Sequence, residues 1–188
     1  MNRNLNVPNA LSILRLLGVP VFIFFALVSK QDVFAILTLM VAGATDYFDG
    51  KIARAWNQTS SFGALLDPAA DRIYIVATLI VLYLRDAIPL WVVLLLLGRD
   101  AILALITLVM KLRNIALLEV SFLGKASTFN LLYAFPLLLL ATHESTMGHV
   151  SFVLGWSFAT WGIVLYIYTG LIYFQSGIKR IRVGSINF

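Results

Sequence analysis

Six long apolar segments, separated by short polar stretches, constrain this chain more than any other feature. They cover residues 10–28, 33–56, 62–84, 88–111, 122–142 and 149–177. An α-helix needs about 20 apolar residues to cross the bilayer core, and within one segment only a helix satisfies its own backbone there. Because 61% of the residues are hydrophobic and 12% are charged, we expect an all-α integral membrane protein with six transmembrane helices, forming one domain over 1–188.

The basic residues predict how the chain is oriented. With the N-terminus inside, the outer side holds Lys30 and Arg85, whereas the inner side holds Arg3, Lys51, Arg54, Lys111, Arg113, Lys125, Lys179, Arg180 and Arg182. Cytoplasmic loops carry an excess of Lys and Arg, so both termini are predicted to be cytoplasmic. The net charge of +5 then reflects topology and attraction to membrane lipids, and no nucleic-acid partner is expected. The chain has no cysteine, which excludes disulfides and thiolate metal sites.

Four of the nine acidic residues lie at the polar ends of the second and third segments, at Asp46, Asp49, Asp67 and Asp71. Carboxylates near membrane depth are costly unless they are paired or bind a cation. Each pair has a spacing of three or four residues, which places its members on one helix face. A short turn between the two helices would bring both pairs together, and this arrangement predicts a cation site near the cytoplasmic side.

Oxygen ligands alone favour a hard ion such as Mg²⁺, Mn²⁺ or Ca²⁺. Two ions about 3.5–4 Å apart would suit a displacement at phosphorus. Small residues at Gly50, Ala53 and Gly63 leave space beside the carboxylates, and Arg54 is placed to contact a phosphate oxygen. Ordinary interfacial charges are the alternative reading, and a cation-transport site is another. Transport sites, however, usually lie near the bilayer midplane.

The complete pattern is Asp46-x2-Asp49-Gly50-x2-Ala53-Arg54-x8-Gly63-x3-Asp67-x3-Asp71. It resembles, at every defined position, the signature of the CDP-alcohol phosphotransferase family. The resemblance implies a six-helix membrane enzyme, usually homodimeric, that transfers a substituted phosphate from a CDP-linked donor to an alcohol and releases CMP. It also implies an active site at the cytoplasmic face of the membrane.

The resemblance also assigns roles to residues. Mg²⁺ or Mn²⁺, as two ions, would be bound by Asp46, Asp49, Asp67 and Asp71. Asp71 would in addition be the catalytic base for the acceptor hydroxyl. The donor would be bound by Asp46, Asp49, Gly50, Ala53, Arg54, Gly63 and Asp67. A catalytically inactive partner subunit remains an alternative, although every motif position is filled.

The opening run Asn6-Val7-Pro8-Asn9, continuing to Arg15, resembles two branches of the family that use CDP-diacylglycerol. In one, of mitochondrial and actinobacterial type, the acceptor is phosphatidylglycerol and the product is cardiolipin. In the other, the acceptor is glycerol 3-phosphate and the product is phosphatidylglycerol phosphate. The Arg99-Asp100 pair resembles the first branch, which we therefore favour. The membrane is then expected to be the bacterial inner or plasma membrane.

Three basic residues are candidates for binding the acceptor, namely Arg15, Arg99 and Lys125. Arg15 and Arg99 lie inside apolar segments, where an ionisable residue usually has a function. Lys125 begins the fifth segment, where ordinary positive-inside anchoring explains it almost as well. Asp100 is expected on a different helix face from Arg99, and a buried ion pair with another helix is the alternative role for Arg99. Tyrosines near the segment ends are expected mainly at the membrane interface, although Tyr166, Tyr168 and Tyr173 could instead line a lipid groove.

Overall fold

The computed structural model describes the backbone of residues 7–55 and 63–184, and the side chains of residues 13–45 and 70–183. Every regular element in these ranges is helical, so the predicted all-α fold with six helices is confirmed. The α-helices are α1 (Val7–Ile23), α2 (Asp32–Ala55), α3 (Gly63–Leu84), α4 (Leu90–Leu112), α5 (Phe122–Leu140) and α6 (Thr146–Gly184). A π-helical turn, Phe24–Val28, extends α1.

Within the part of the chain whose side chains are described, three helices are long and apolar enough to cross a membrane, at Leu90–Leu112, Phe122–Leu140 and Thr146–Val183. A transmembrane role for all six stays a prediction. Ile13–Val28 and Asp32–Thr45 are shorter apolar helical stretches within the described side chains. Many large apolar side chains are exposed, such as Met40 (64%) and Leu105 (63%). An outward-facing apolar surface of this kind suits lipid contact.

The sixth helix is longer than predicted. It has 39 residues, which corresponds to roughly 58 Å of helix, against about 30 Å for the bilayer core. No proline interrupts α6, so the helix continues past the predicted boundary at residue 177 into the basic stretch that contains Lys179, Arg180 and Arg182.

The helices group into two compact units, Met1–Arg85 and Asp86–Phe188. In the first unit, α1 packs against both α2 and α3. An ion pair fastens α3 to the start of α2, because both terminal nitrogens of Arg85 donate to the carboxylate of Asp32 at 2.9 Å. Arg85 Nη1 also donates to the carbonyl of Ala26 at 2.6 Å. The prediction of a single domain over 1–188 stays a prediction.

In the second unit, α6 packs against α5 and α4 through two pairs of glycines, each pair spaced seven residues apart. Gly155 and Gly162 face Leu138 and Leu131 of α5, so these two helices are antiparallel. The second pair, Gly170 and Gly177, faces Arg99 and Ile106 of α4, so α4 and α6 are parallel. Glycine at these positions lets the helix axes approach closely.

Candidate active site

The aspartate motif lies on two helices of the first unit. Asp46 to Arg54 belong to α2, and Gly63 to Asp71 belong to α3. The helical backbone supports the predicted sharing of a face by residues three or four apart. Six predicted contributors have side chains outside the described residues, namely Asp46, Asp49, Gly50, Ala53, Arg54 and Asp67, and Gly63 also lies in that stretch. Their metal and donor roles stay predictions.

Asp71 is the motif carboxylate that the structure describes, and it is paired with Arg15. Arg15 Nη1 of α1 donates to Asp71 Oδ1 at 2.7 Å. The arginine side chain is 1% exposed and the carboxylate side chain 48%. A buried guanidinium needs a carboxylate partner, whereas a half-exposed carboxylate stays accessible to a ligand. The contact therefore fixes Asp71 without covering it.

Close packing between α1 and α3 makes this contact possible. Tyr74, one turn after Asp71, is buried, and its hydroxyl lies against Gly18, one turn after Arg15. A Cβ at position 18 would overlap that hydroxyl, which makes no hydrogen bond within the described residues. Glycine at 18 thus lets α3 lie close enough for Asp71 to meet Arg15.

Arg99, a predicted acceptor-binding residue on α4, lies among polar and aromatic groups of the second unit. Its Nη1 donates to Asp100 Oδ1 at 3.1 Å. Its guanidinium carbon lies 4.0 Å from the centre of the Tyr166 ring and 5.9 Å from that of Tyr173. An ion pair with another helix was the alternative expected for Arg99, whereas its carboxylate partner among the described residues is Asp100, the next residue on α4.

Lys125, the third predicted acceptor residue, is exposed at the end of the first turn of α5. The start of this helix is capped by Ser121, whose hydroxyl accepts the N–H of Gly124 at 3.2 Å. The Tyr173 hydroxyl in turn accepts the backbone N–H of Ser121 at 2.7 Å. Tyr173 therefore links the Lys125 end of α5 to the part of α6 that lies near Arg99.

The structure adds contacts around Arg99 that the sequence did not predict. Asp100 was expected on a different helix face from Arg99, and the two side chains nevertheless meet, with Tyr166 in contact with both. Tyr166, for which the sequence left an interfacial position and a lipid groove open, is 5% exposed, and its hydroxyl donates to Asp100 Oδ1 at 2.5 Å. In the sequence, a carboxylate inside an apolar segment, at Asp100, is the feature that indicates a buried hydrogen-bond donor nearby.

The family is decided by comparison with known proteins. Residues 5–167 match the family model described as CDP-alcohol phosphatidyltransferase, which spans most of the chain and the whole aspartate motif. The chain belongs to the CDP-alcohol phosphatidyltransferase family. The predicted resemblance is confirmed, and the protein is an enzyme of phospholipid biosynthesis that acts as a CDP-alcohol phosphatidyltransferase.

Relatives within the CDP-alcohol phosphatidyltransferases cover most of the chain. A cardiolipin synthase (CMP-forming) of Streptomyces coelicolor is 47% identical over 177 residues, which are 92% of this chain and 82% of the relative. A CDP-diacylglycerol–glycerol-3-phosphate 3-phosphatidyltransferase of Rickettsia felis is 32% identical over 173 residues, 91% of this chain and 94% of the relative. With the apolar helices, these similarities identify an integral membrane protein.

Asp71, the motif residue whose side chain the structure describes, has the kind of oxygen donor that a hard metal ion binds. Asp71 offers a half-exposed carboxylate that Arg15 holds in a fixed orientation, and Mg²⁺ and Mn²⁺ prefer carboxylate oxygens. Among the side chains that the structure describes, no three acidic or histidine groups come together. Three of the four predicted ligands lie outside that part of the chain.

Proposed function

We propose that this enzyme transfers the phosphatidyl group of CDP-diacylglycerol to a hydroxyl of phosphatidylglycerol, giving cardiolipin and CMP. The observation that carries the proposal is the 47% identity to the Streptomyces coelicolor cardiolipin synthase over 92% of the chain. The Arg99-Asp100 pair, which resembles that branch of the family, points to the same acceptor.

The reaction exchanges one phosphorus–oxygen bond for another. A glycerol hydroxyl oxygen of phosphatidylglycerol attacks the phosphorus that carries diacylglycerol, the bond to CMP breaks, and CMP leaves with the electron pair. The hydroxyl proton goes to Asp71, the proposed general base. General-base catalysis by a positioned side chain contributes about 10²–10⁴-fold, and the 2.7 Å contact with Arg15 supports a fixed position for this carboxylate.

Asp46, Asp49, Asp67 and Asp71 would hold two Mg²⁺ or Mn²⁺ ions. When bound, such ions neutralise charge on the transferred phosphate and the leaving group. Gly50, Ala53, Arg54 and Gly63, with the first three aspartates, would bind the CMP part of the donor. Arg99, Lys125 and Arg15 would bind the acceptor. For Arg15 we add the positioning of Asp71, because its guanidinium already contacts that carboxylate.

We further propose a homodimer in the bacterial inner or plasma membrane, with both termini and the active site on the cytoplasmic side. The distribution of Lys and Arg supports this orientation.

Glycerol 3-phosphate is the alternative acceptor, which would give phosphatidylglycerol phosphate. The similarity to the Rickettsia felis enzyme over 91% of the chain supports it. Glycerol 3-phosphate is a small dianion that calls for several converging cations. Phosphatidylglycerol has a single phosphodiester charge and two acyl chains, so fewer cations and an apolar surface suffice.

The test is CMP release by the purified protein in detergent with CDP-diacylglycerol. Each acceptor is supplied in a separate reaction, first with EDTA and then with Mg²⁺ or Mn²⁺ added back. We expect CMP with phosphatidylglycerol, only after a metal is restored. Release with glycerol 3-phosphate alone would overturn the proposed acceptor, and full activity in EDTA would overturn the metal assignment.

A further inference from the structure

Tyr166 contacts both members of the Arg99-Asp100 pair. Its hydroxyl donates to Asp100 Oδ1 at 2.5 Å, and its ring lies 4.0 Å from the guanidinium carbon of Arg99. The tyrosine is 5% exposed, and Gly170, one turn further along α6, leaves room for the Arg99 side chain. Tyr166 and Gly170 thus form the surface of α6 against which the Arg99 side chain packs.

Arg99 and Asp100 are adjacent on an α-helix, where neighbouring residues point about 100° apart. Nevertheless, Arg99 Nη1 donates at 3.1 Å to the same Asp100 oxygen that accepts from Tyr166. Tyr166 and Arg99 therefore share one carboxylate oxygen as their acceptor. The Tyr166 hydroxyl competes with the Arg99 guanidinium for this carboxylate.

The arginine retains capacity to donate hydrogen bonds. A guanidinium has five N–H donors, and among the described residues Arg99 makes one hydrogen bond, the one to Asp100. Its Nε is buried without a hydrogen-bond partner, and 14% of the side chain is exposed. An arginine held on an aromatic ring, with unused donors, suits a phosphodiester, which accepts from its planar fork.

We infer that Tyr166 is a positioning residue for the acceptor: it holds Asp100 so that Arg99 remains available to the phosphodiester of an anionic lipid. The inference rests on the proposed acceptor role of Arg99. Without the hydroxyl, Asp100 would bind Arg99 through both oxygens and compete with the lipid phosphate. Affinity for the acceptor would fall, while the donor and the chemical step would be little affected.

The test compares Tyr166→Phe with Tyr168→Phe, which removes an exposed hydroxyl two residues further along the same helix. Steady-state kinetics are measured in mixed micelles with phosphatidylglycerol and CDP-diacylglycerol varied in turn. We expect Tyr166→Phe to raise the KM for phosphatidylglycerol about tenfold, as for the loss of one hydrogen bond to a charged group. We expect kcat and the KM for CDP-diacylglycerol to change less than twofold, and Tyr168→Phe to match the unchanged enzyme.

The same substitution in an Arg99→Ala background separates positioning from a general structural effect. If Tyr166 acts through Arg99, adding Tyr166→Phe there leaves the acceptor KM unchanged. A further rise in that background, an equal rise in both KM values, or an unchanged acceptor KM in the single variant would each overturn the inference.

Product identity in the unchanged enzyme keeps this result distinct from a failure of the proposed function. If the enzyme uses glycerol 3-phosphate instead, the proposed acceptor is wrong, and the same comparison is made with that acceptor. A selective rise in its KM would still support a positioning role for Tyr166, and an unchanged KM would overturn it.

Discussion

At the scale of single residues, the Arg15–Asp71 contact links the first helix to the aspartate motif. The arginine is almost fully buried and the carboxylate is half exposed, so we expect the loss of each side chain to have a different effect. Arg15 is buried with Asp71 as one charge partner, whereas water can solvate the half-exposed Asp71 if Arg15 is lost. This asymmetry gives separable predictions for the two positions.

Asp71→Asn keeps the size of the side chain but removes its capacity to accept a proton. We expect the rate of transfer to fall about 10²–10⁴-fold, while part of the binding of CDP-diacylglycerol remains. The measurement is CMP release together with donor binding to the purified variant. Asp86→Asn is the matched control, because Asp86 is an exposed loop residue, and it should keep full activity. Near-normal turnover of Asp71→Asn would show that the base is another group.

Arg15→Gln tests whether Arg15 acts through Asp71 or binds the acceptor. If its main role is to position the carboxylate, kcat should fall about tenfold or more, because small misplacement of a catalytic group is costly. The KM for phosphatidylglycerol should then change little. Arg113→Gln, at an exposed arginine that follows α4, is the control. A rise in the acceptor KM at constant kcat would instead support acceptor binding.

The sequence singled out Asp71 and Arg99 as candidate site residues, whose roles stay predictions, but it did not indicate which distant groups contact them. The aspartate spacing and the cost of charge in an apolar segment single out both residues from the sequence. Which groups meet them depends on how helices pack. Tyr166 is 66 residues from Asp100 and Arg15 is 56 residues from Asp71, and no local pattern joins such positions.

At the scale of elements, glycines on α6 determine how closely α4 can pack. A Cβ at Gly177 would lie 2.5 Å from Cγ2 of Ile106, a β-branched side chain with little rotamer freedom. We expect Gly177→Ala to destabilise the protein by about 1–3 kcal/mol through overpacking.

Gly98→Ala is the matched control for this change, because no atom of the described residues lies within 4 Å of a Cβ at that position. Alanine should stabilise α4 there by roughly 0.5–1 kcal/mol. The measurement is the midpoint of thermal unfolding in detergent, and the two variants should shift it in opposite directions. A parallel shift would show that glycine packing does not govern this contact.

The Asp32–Arg85 pair fastens α2 to α3 with two hydrogen bonds and little exposure, 1% and 13% of the respective side chains. Asp32→Asn removes the negative charge from this buried pair, and we expect a loss of stability of about 3 kcal/mol. The double change Asp32→Leu with Arg85→Met removes both charges and should restore most of the lost stability. Thermal unfolding measures both, with Asp86→Asn as the exposed control. Equal midpoints for Asp32→Asn and Asp86→Asn would contradict the account.

The number and order of the helices were predictable, because apolar length alone specifies them. The end of α6 and the π-helical turn after α1 could not be predicted from the sequence. Helix ends depend on local breakers and packing partners, and α6 contains no proline to stop it where apolar character fades. The four packing glycines form two pairs, each with a seven-residue spacing that is visible in the sequence, although the sequence does not indicate the partner helix of each pair.

At the scale of the whole molecule, orientation in the membrane is open to a direct test, since the chain has no cysteine. Glu119→Cys and Glu144→Cys introduce one thiol each at exposed positions, before α5 and before α6. In intact cells, a membrane-impermeant maleimide should label the second but not the first, because the positive-inside rule places residue 119 in the cytoplasm. After lysis both should react. The reverse pattern would invert the proposed topology.

The central claim is that this phosphatidyltransferase prefers phosphatidylglycerol over glycerol 3-phosphate. The most direct measurement is a single reaction of the purified enzyme with CDP-diacylglycerol, Mg²⁺ and both acceptors at equal concentration, with Asp71→Asn as the blank. Mass spectrometry of the lipid products gives the ratio of kcat/KM values for the two acceptors, which defines specificity. We expect cardiolipin as the dominant product. A dominant yield of phosphatidylglycerol phosphate would contradict it.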